Sequence, residues 1–153
     1  MIHSLLYVSR STLSLPRQAG EVDAVVGVAR TRNAQLNVTG ALVFTERHWA
    51  QNLEGEEAAL DELMASIRGD WRHTNLDVVY RQPIAARRFP TWTMAYAGPS
   101  TFVSGNVLQL TDPLPERSKR KPAERLIALM QQFVEAQLAE QRRNSSGDRP
   151  LDR

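Results

Sequence analysis

A chain of 153 residues, 42% hydrophobic and 24% charged, is long enough to bury one core and carry extensions. It has no cysteine, which excludes disulfides and thiolate metal sites. It also lacks the run of about 18 apolar residues that a membrane-crossing helix needs.

The sequence pI of about 9.4 is set by the C-terminal part. Residues 1–115 carry 10 basic and 11 acidic side chains, whereas residues 116–153 carry 9 and 6. The basic cluster RSKRK at 117–121 is short and reads as a solvated linker rather than a nucleic-acid contact. The N-terminus, MIHSLLYVSRS, has no basic region followed by a long apolar stretch, so it does not read as a signal peptide. Together with the absence of cysteine, this fits a cytoplasmic protein. The three histidines, His3, His48 and His73, are too widely spaced for a zinc pair.

Residues 2–11 predict a strand. The unbroken run Leu5, Leu6, Tyr7, Val8 points to a strand covered on both faces. A helix is predicted from Ser14 to about Arg32, with Val22, Val25, Val26 and Ala29 as its buried stripe and Asn33 at or just past its end. Residues 37–45 and 48–55 read as two strands joined by a short hairpin connection. A second helix spans about 56–68, with Leu60, Leu63, Met64 and Ile67 at helical spacing. After a loop at 69–75, a fourth strand covers 76–84. A fifth covers 90–98, with Trp92, Met94 and Tyr96 on one face.

The order β-α-β-β-α-β plus one strand is a ferredoxin-like α+β unit with both helices on one sheet face. The apolar first strand requires a cover for the other face. The amphipathic segment 123–143, with Leu126, Leu129, Met130, Phe133 and Leu138 near one stripe, is the candidate. Residues 111–122 read as a polar linker and 144–153 as a disordered end. The division expected is a folded unit at 1–98, a linker and capping helix at 99–143, and a tail at 144–153.

Gln51 raises the chemical question. It stands among Trp49, Ala50 and Leu53, and a buried amide without a partner costs on the order of 1–3 kcal/mol. No nucleophile–base pair, phosphate-cradling glycine loop or metal cluster accompanies it, so the chain does not read as an enzyme.

Five separated stretches carry a resemblance: LLYVS (5–9), NAQLNVTGAL (33–42), WAQNLEG (49–55), DWRHTN (70–75) and RRFPTWTM (87–94). In order and placement they resemble the BLUF domain, the blue-light sensor that uses a flavin, over residues 2–98. Trp49 stands where the family commonly has phenylalanine. The resemblance implies FAD, with FMN or riboflavin as alternatives, bound between the two helices. Tyr7, Gln51 and Met94 would lie near the flavin N5 and O4 edge, and Asn33 would bond the O4/N3 side. Arg72 and His73 would approach from the opposite helix. Arg32 or Arg30 would meet the ribityl or phosphate part, and Trp92 would stand in or out of the pocket.

The resemblance further implies photochemistry in which Tyr7 gives and regains an electron and Gln51 rotates, tautomerises or does both. The change would pass through the fifth strand and C-terminal helix to a downstream signalling protein, with a homo-oligomer expected. No catalytic domain follows in the sequence, so a short stand-alone member is expected. The alternative is a flavin-binding or ferredoxin-like interaction module without photochemistry.

Overall fold

The structure is a computed structural model that describes residues 1–90, 95–96, 101–111 and 115–147. In chain order the elements are β1 (Ile2–Ser11), α1 (Ala19–Gln35), β2 (Thr39–Phe44), β3 (His48–Glu56), α2 (Glu57–Arg68), β4 (His73–Ile84), β5 (Ala95–Tyr96), α3 (Thr101–Thr111) and α4 (Glu116–Gly147). The strands form one sheet in the order β4-β1-β3-β2-β5. The first four are antiparallel, and β5 runs parallel to β2. This is the ferredoxin-like arrangement with one added strand.

Strand alternation divides the core in two. Leu5, Tyr7, Leu42 and Leu53 pack with Val22 and Val26 of α1 and with Leu60, Leu63 and Met64 of α2. Leu6, Val8, Ala41, Val43 and Ala50 pack with Val107 and Leu110 of α3 and with Ala123, Leu126, Ile127 and Met130 of α4. The cover required by the apolar first strand is therefore present. The register pairs Tyr7 with Gln51 across β1 and β3, so both side chains emerge on the α1–α2 face. Gly40 permits the tight approach of β2 to β3, because a Cβ there would stand 1.9 Å from the Asn52 carbonyl oxygen.

Several local features differ from the sequence reading. Helix α1 begins at Ala19 rather than Ser14 and extends to Gln35, past Asn33. Asn37 takes the left-handed terminating role instead, at φ 53°. The Asn37 N–H donates to Ala34 O (3.2 Å) and the Val38 N–H to Asn33 O (2.8 Å), a Schellman closure. Residues 101–111 form a helix that the sequence did not announce. The segment read as a polar linker is largely helical, since α4 begins at Glu116 and encloses Pro122. Its first turns are held by tertiary contacts: Lys119 Nζ donates to Asp77 Oδ2 of β4 at 2.9 Å, and Ala123 is fully buried. These offset the backbone donor that proline lacks. Residues 144–147 continue α4 rather than opening a disordered tail. Trp92 and Met94 lie outside the described residues. Among the described residues no helix is long and apolar enough to cross a membrane.

Candidate functional site

A cavity of about 100 Å³ lies between α1 and α2 above β1 and β3. It gathers Tyr7, Arg32, Asn33, Gln51, Arg72 and His73, six of the residues singled out from sequence. Arg30 is not among its lining residues. It faces a separate groove with Asp23, Gly27 and residues of the C-terminal part of α4. The reason is helical geometry: at 100° per residue, Arg30 and Arg32 project from nearly opposite sides of α1. Arg32 continues the stripe Val25, Val28, Ala29 at i+7, i+4 and i+3, which is the stripe that lines the cavity.

The central contact joins the first and third strands. The Tyr7 hydroxyl donates to Gln51 Oε1 at 2.5 Å, and both residues are buried. Gln51 therefore has the partner that its burial demands. With its oxygen committed to Tyr7, the other end of the amide is a donor group. Burial, and secondarily the Asp70 carboxylate, pushes the Tyr7 phenol well above its ordinary pKa. The phenol is thus neutral throughout the working pH range.

The far wall is built by the 70–73 loop. Arg72 Nε donates to Asp70 Oδ1 at 2.9 Å and its Nη2 to Asp70 Oδ2 at 2.7 Å, while Nη1 reaches Glu21 of α1 at 3.5 Å. The hydrogen bond from Arg72 holds the Asp70 carboxyl below its ordinary pKa, against burial. The same bond raises the Arg72 guanidinium.

His73 is fixed at both ring nitrogens. Nε2 contacts Ile67 O at 2.5 Å, and a carbonyl can only accept, so Nε2 carries the proton. In the neutral ring Nδ1 then accepts from the Ser9 hydroxyl at 2.9 Å. The ring stands edge-on to Tyr7, with centroids 6.2 Å apart. Its role is to hold the β1–α2–β4 junction and one side of the phenol.

Trp49 was noted in sequence only as a departure from a motif, yet it lines the cavity. Its Nε1 donates to Arg72 O at 3.2 Å, and its ring packs on Phe44 at 4.4 Å. The signal available in sequence was its spacing, since residues two apart on a strand share a face and Gln51 was already placed.

The donor set suits a planar heteroaromatic ring bearing carbonyls and ring nitrogens. Asn33 is almost fully buried and brings an amide. Arg32 Nη2 donates to Glu62 at 3.3 Å, but its Nε is buried without a hydrogen-bond partner among the described residues. A buried N–H left over in a cavity wall costs free energy that an acceptor on a ligand would recover. Val25, Val28, Ala29 and Leu63 supply apolar surface for the ring faces. A flavin ring fits this chemistry.

Comparison with known proteins agrees. The family model described as BLUF, sensors of blue light using FAD, matches residues 2–95. Photoactivated adenylate cyclase subunit beta of Euglena longa is 37% identical over 95 residues, covering 61% of this chain and 11% of the cyclase. The blue light- and temperature-regulated antirepressor BluF of Escherichia coli (strain K12) is 34% identical over 89 residues, covering 58% of this chain and 22% of the antirepressor. The chain thus spans only a small part of these curated relatives. The dark-state structure of BlrB, a BLUF protein, aligns with a TM-score of 0.67 at 29% identity, covering 89% of this chain and 96% of BlrB.

Proposed function

The chain belongs to the BLUF family of blue-light sensors, and from that premise we propose that it holds FAD between α1 and α2 and signals through Tyr7 and Gln51. The observation that carries this reading is the buried 2.5 Å hydrogen bond between those two side chains in the wall of the cavity.

When bound, the flavin supplies blue-light absorption and, once excited, accepts one electron. The residues supply the rest. Tyr7 is neutral, so loss of an electron would leave a strongly acidic phenol radical cation whose proton needs an acceptor. The acceptor already in place for that proton is Gln51 Oε1. Transfer along this bond changes the amide from an acceptor towards Tyr7 into a group that must reorganise its donors. When electron and proton return to Tyr7, Gln51 is left rotated, tautomerised or both. A hydrogen-bond change at a buried polar group is worth roughly 1–3 kcal/mol, enough to bias a two-state element about tenfold.

Arg32 and Asn33 would hold the polar edge of the ring from α1, Arg32 through its unspent Nε. Arg72 and His73 would bound the ring from the α2 side. His73, with both nitrogens engaged, acts through position rather than by giving a hydrogen bond. The family's methionine and tryptophan correspond to Met94 and Trp92, outside the described residues.

The change at Gln51 would pass through the sheet to α3 and α4. Strand β3 exposes Gln51 on one face and Ala50, packed with the α3–α4 core, on the other. Output would go to a signalling partner or a second copy of this chain, in the cytoplasm. The RSKRK cluster fits nucleic acid poorly, because its Lys119 is buried and committed to Asp77.

The test is the visible spectrum of the purified protein, dark and then under blue light. A reversible red shift in the native protein, abolished in Tyr7→Phe with the flavin still bound, supports the proposal. A yellow protein with no light-induced shift overturns photosensing.

A further inference from the structure

Two readily oxidised rings line the cavity among the described residues, the phenol of Tyr7 and the indole of Trp49. The phenol has a part in the photochemistry proposed above, and the indole has none. Trp49 is buried and packs in the core of the α1–α2 face, so its ring lies on the cavity side of β3. Residues two apart on a strand share a face, which sets the indole about 7 Å along β3 from Gln51. Across the β1–β3 ladder Gln51 faces Tyr7 and Trp49 faces Ser9. The two rings therefore stand on adjoining strands of one wall. Trp71, by contrast, is 58% exposed and is not among the lining residues.

Each ring gives one hydrogen bond to an amide-type oxygen, but the two acceptors differ in freedom. Tyr7 donates to the Gln51 side chain, which can turn. Trp49 Nε1 donates to Arg72 O at 3.2 Å, a backbone carbonyl that also accepts from the Thr12 N–H at 3.1 Å. The indole is further held by Phe44, with ring centroids 4.4 Å apart.

An indole gives up an electron at least as readily as a neutral phenol, and burial keeps the Tyr7 phenol neutral. An excited flavin able to oxidise Tyr7 is therefore able to oxidise Trp49 from the same wall. The consequences differ. The oxidised phenol is a strong acid, and its proton passes to Gln51 Oε1 and loosens the amide. The oxidised indole is a far weaker acid, and a backbone carbonyl does not take its proton. The proton stays on Nε1, the electron returns from the flavin to the indole, and both are as they began. No bond has formed or broken, Gln51 has not moved, and the light energy is lost as heat.

Resting on the flavin reading above, we propose that Trp49 is a second electron donor to the excited flavin, competing with Tyr7 and lowering the fraction of absorbed photons that reset Gln51.

The test is time-resolved flavin fluorescence and the yield of the red shift per absorbed photon, measured after titrating each apoprotein to saturation with flavin. Trp49→Phe keeps an aromatic ring beside Phe44 and leaves Arg72 O its bond from Thr12. It should raise the yield above that of the native protein. Tyr7→Phe should remain weakly fluorescent, because the indole still quenches. Tyr7→Phe combined with Trp49→Phe should show a fluorescence lifetime several-fold longer, an outcome that loss of packing or of a hydrogen bond at position 49 does not produce. Transient absorption of Tyr7→Phe, where Trp49 is untouched, should show an indole radical cation that forms and decays with the flavin signal. A yield in Trp49→Phe no higher than native, a double variant as dim as Tyr7→Phe, or no indole radical in Tyr7→Phe overturns the proposal. If the native apoprotein takes up no flavin at all, the flavin reading itself falls, and the second donor with it.

Discussion

The two faces of the sheet are built from the same strands and do opposite things. On β3, Trp49, Gln51 and Leu53 look towards α1 and α2, while Ala50, Asn52 and Glu54 look towards α3 and α4. The α3–α4 face is tightly packed at its centre among the described residues. Leu6, Leu110, Leu126 and Met130 are completely buried, and the Glu54 carboxylate is spent on the Arg88 and Phe89 N–H groups at 2.8–2.9 Å. The α1–α2 face encloses a cavity whose wall carries a phenol, two amides and two guanidinium groups. A packed face can transmit a displacement but has no chemistry to start one. A face with a cavity can host the chemistry but cannot by itself reach a partner. Period-two alternation puts the two within one residue of each other.

The largest expected effect breaks the packed face alone. Leu126→Ala should cost about 2–5 kcal/mol, from lost burial and the void left behind. Chemical denaturation reads the loss, and the folded fraction should keep a normal light-induced shift because the mutation lies across the sheet from Gln51. A variant that loses the shift while folded would show that the faces are not separable.

A smaller effect sharpens the electrostatics of the cavity face. The folded-state pKa of Asp70 is depressed by Arg72. A depressed carboxylate contributes stability that is present above its unfolded pKa, about 4, and is lost as pH falls through the folded value. Asp70→Asn should therefore flatten the acid limb of the stability–pH profile while leaving its neutral-to-alkaline shape unchanged. Thermal denaturation from pH 3 to pH 8 tests this, and an unaltered acid limb would remove Asp70 from the account.

Much of this division was legible in the sequence. The run Leu5–Val8 required two covered faces, and the amphipathic 123–143 segment supplied the second cover. Other parts were not legible, for physical reasons. Helix α3 contains Ser104, Gly105 and Asn106, weak helix formers whose helix is held by Val107 and Leu110 against the sheet. The start of α4 reads as a linker because Pro122 and a charge run dominate it, and only the Lys119–Asp77 pair and local burial show otherwise. The helical wheel distinguishes Arg32 from Arg30 once the cavity stripe is known, but the sequence does not say which stripe faces a cavity and which a core. Asn33 offers the same lesson. Its residue type suggested a helix end, a role that Asn37 takes, which leaves Asn33 inside the last turn as a wall of the cavity.

The central claim is that the Gln51 amide, held by Tyr7 across β1 and β3, is the element that light resets. The most direct measurement is the light-minus-dark absorption spectrum of Gln51→Leu loaded with flavin. Leucine keeps approximate volume and burial but removes both the acceptor for Tyr7 and the donors on the amide. The account predicts a folded, yellow protein with no reversible red shift. A shift of normal size in that variant would contradict it.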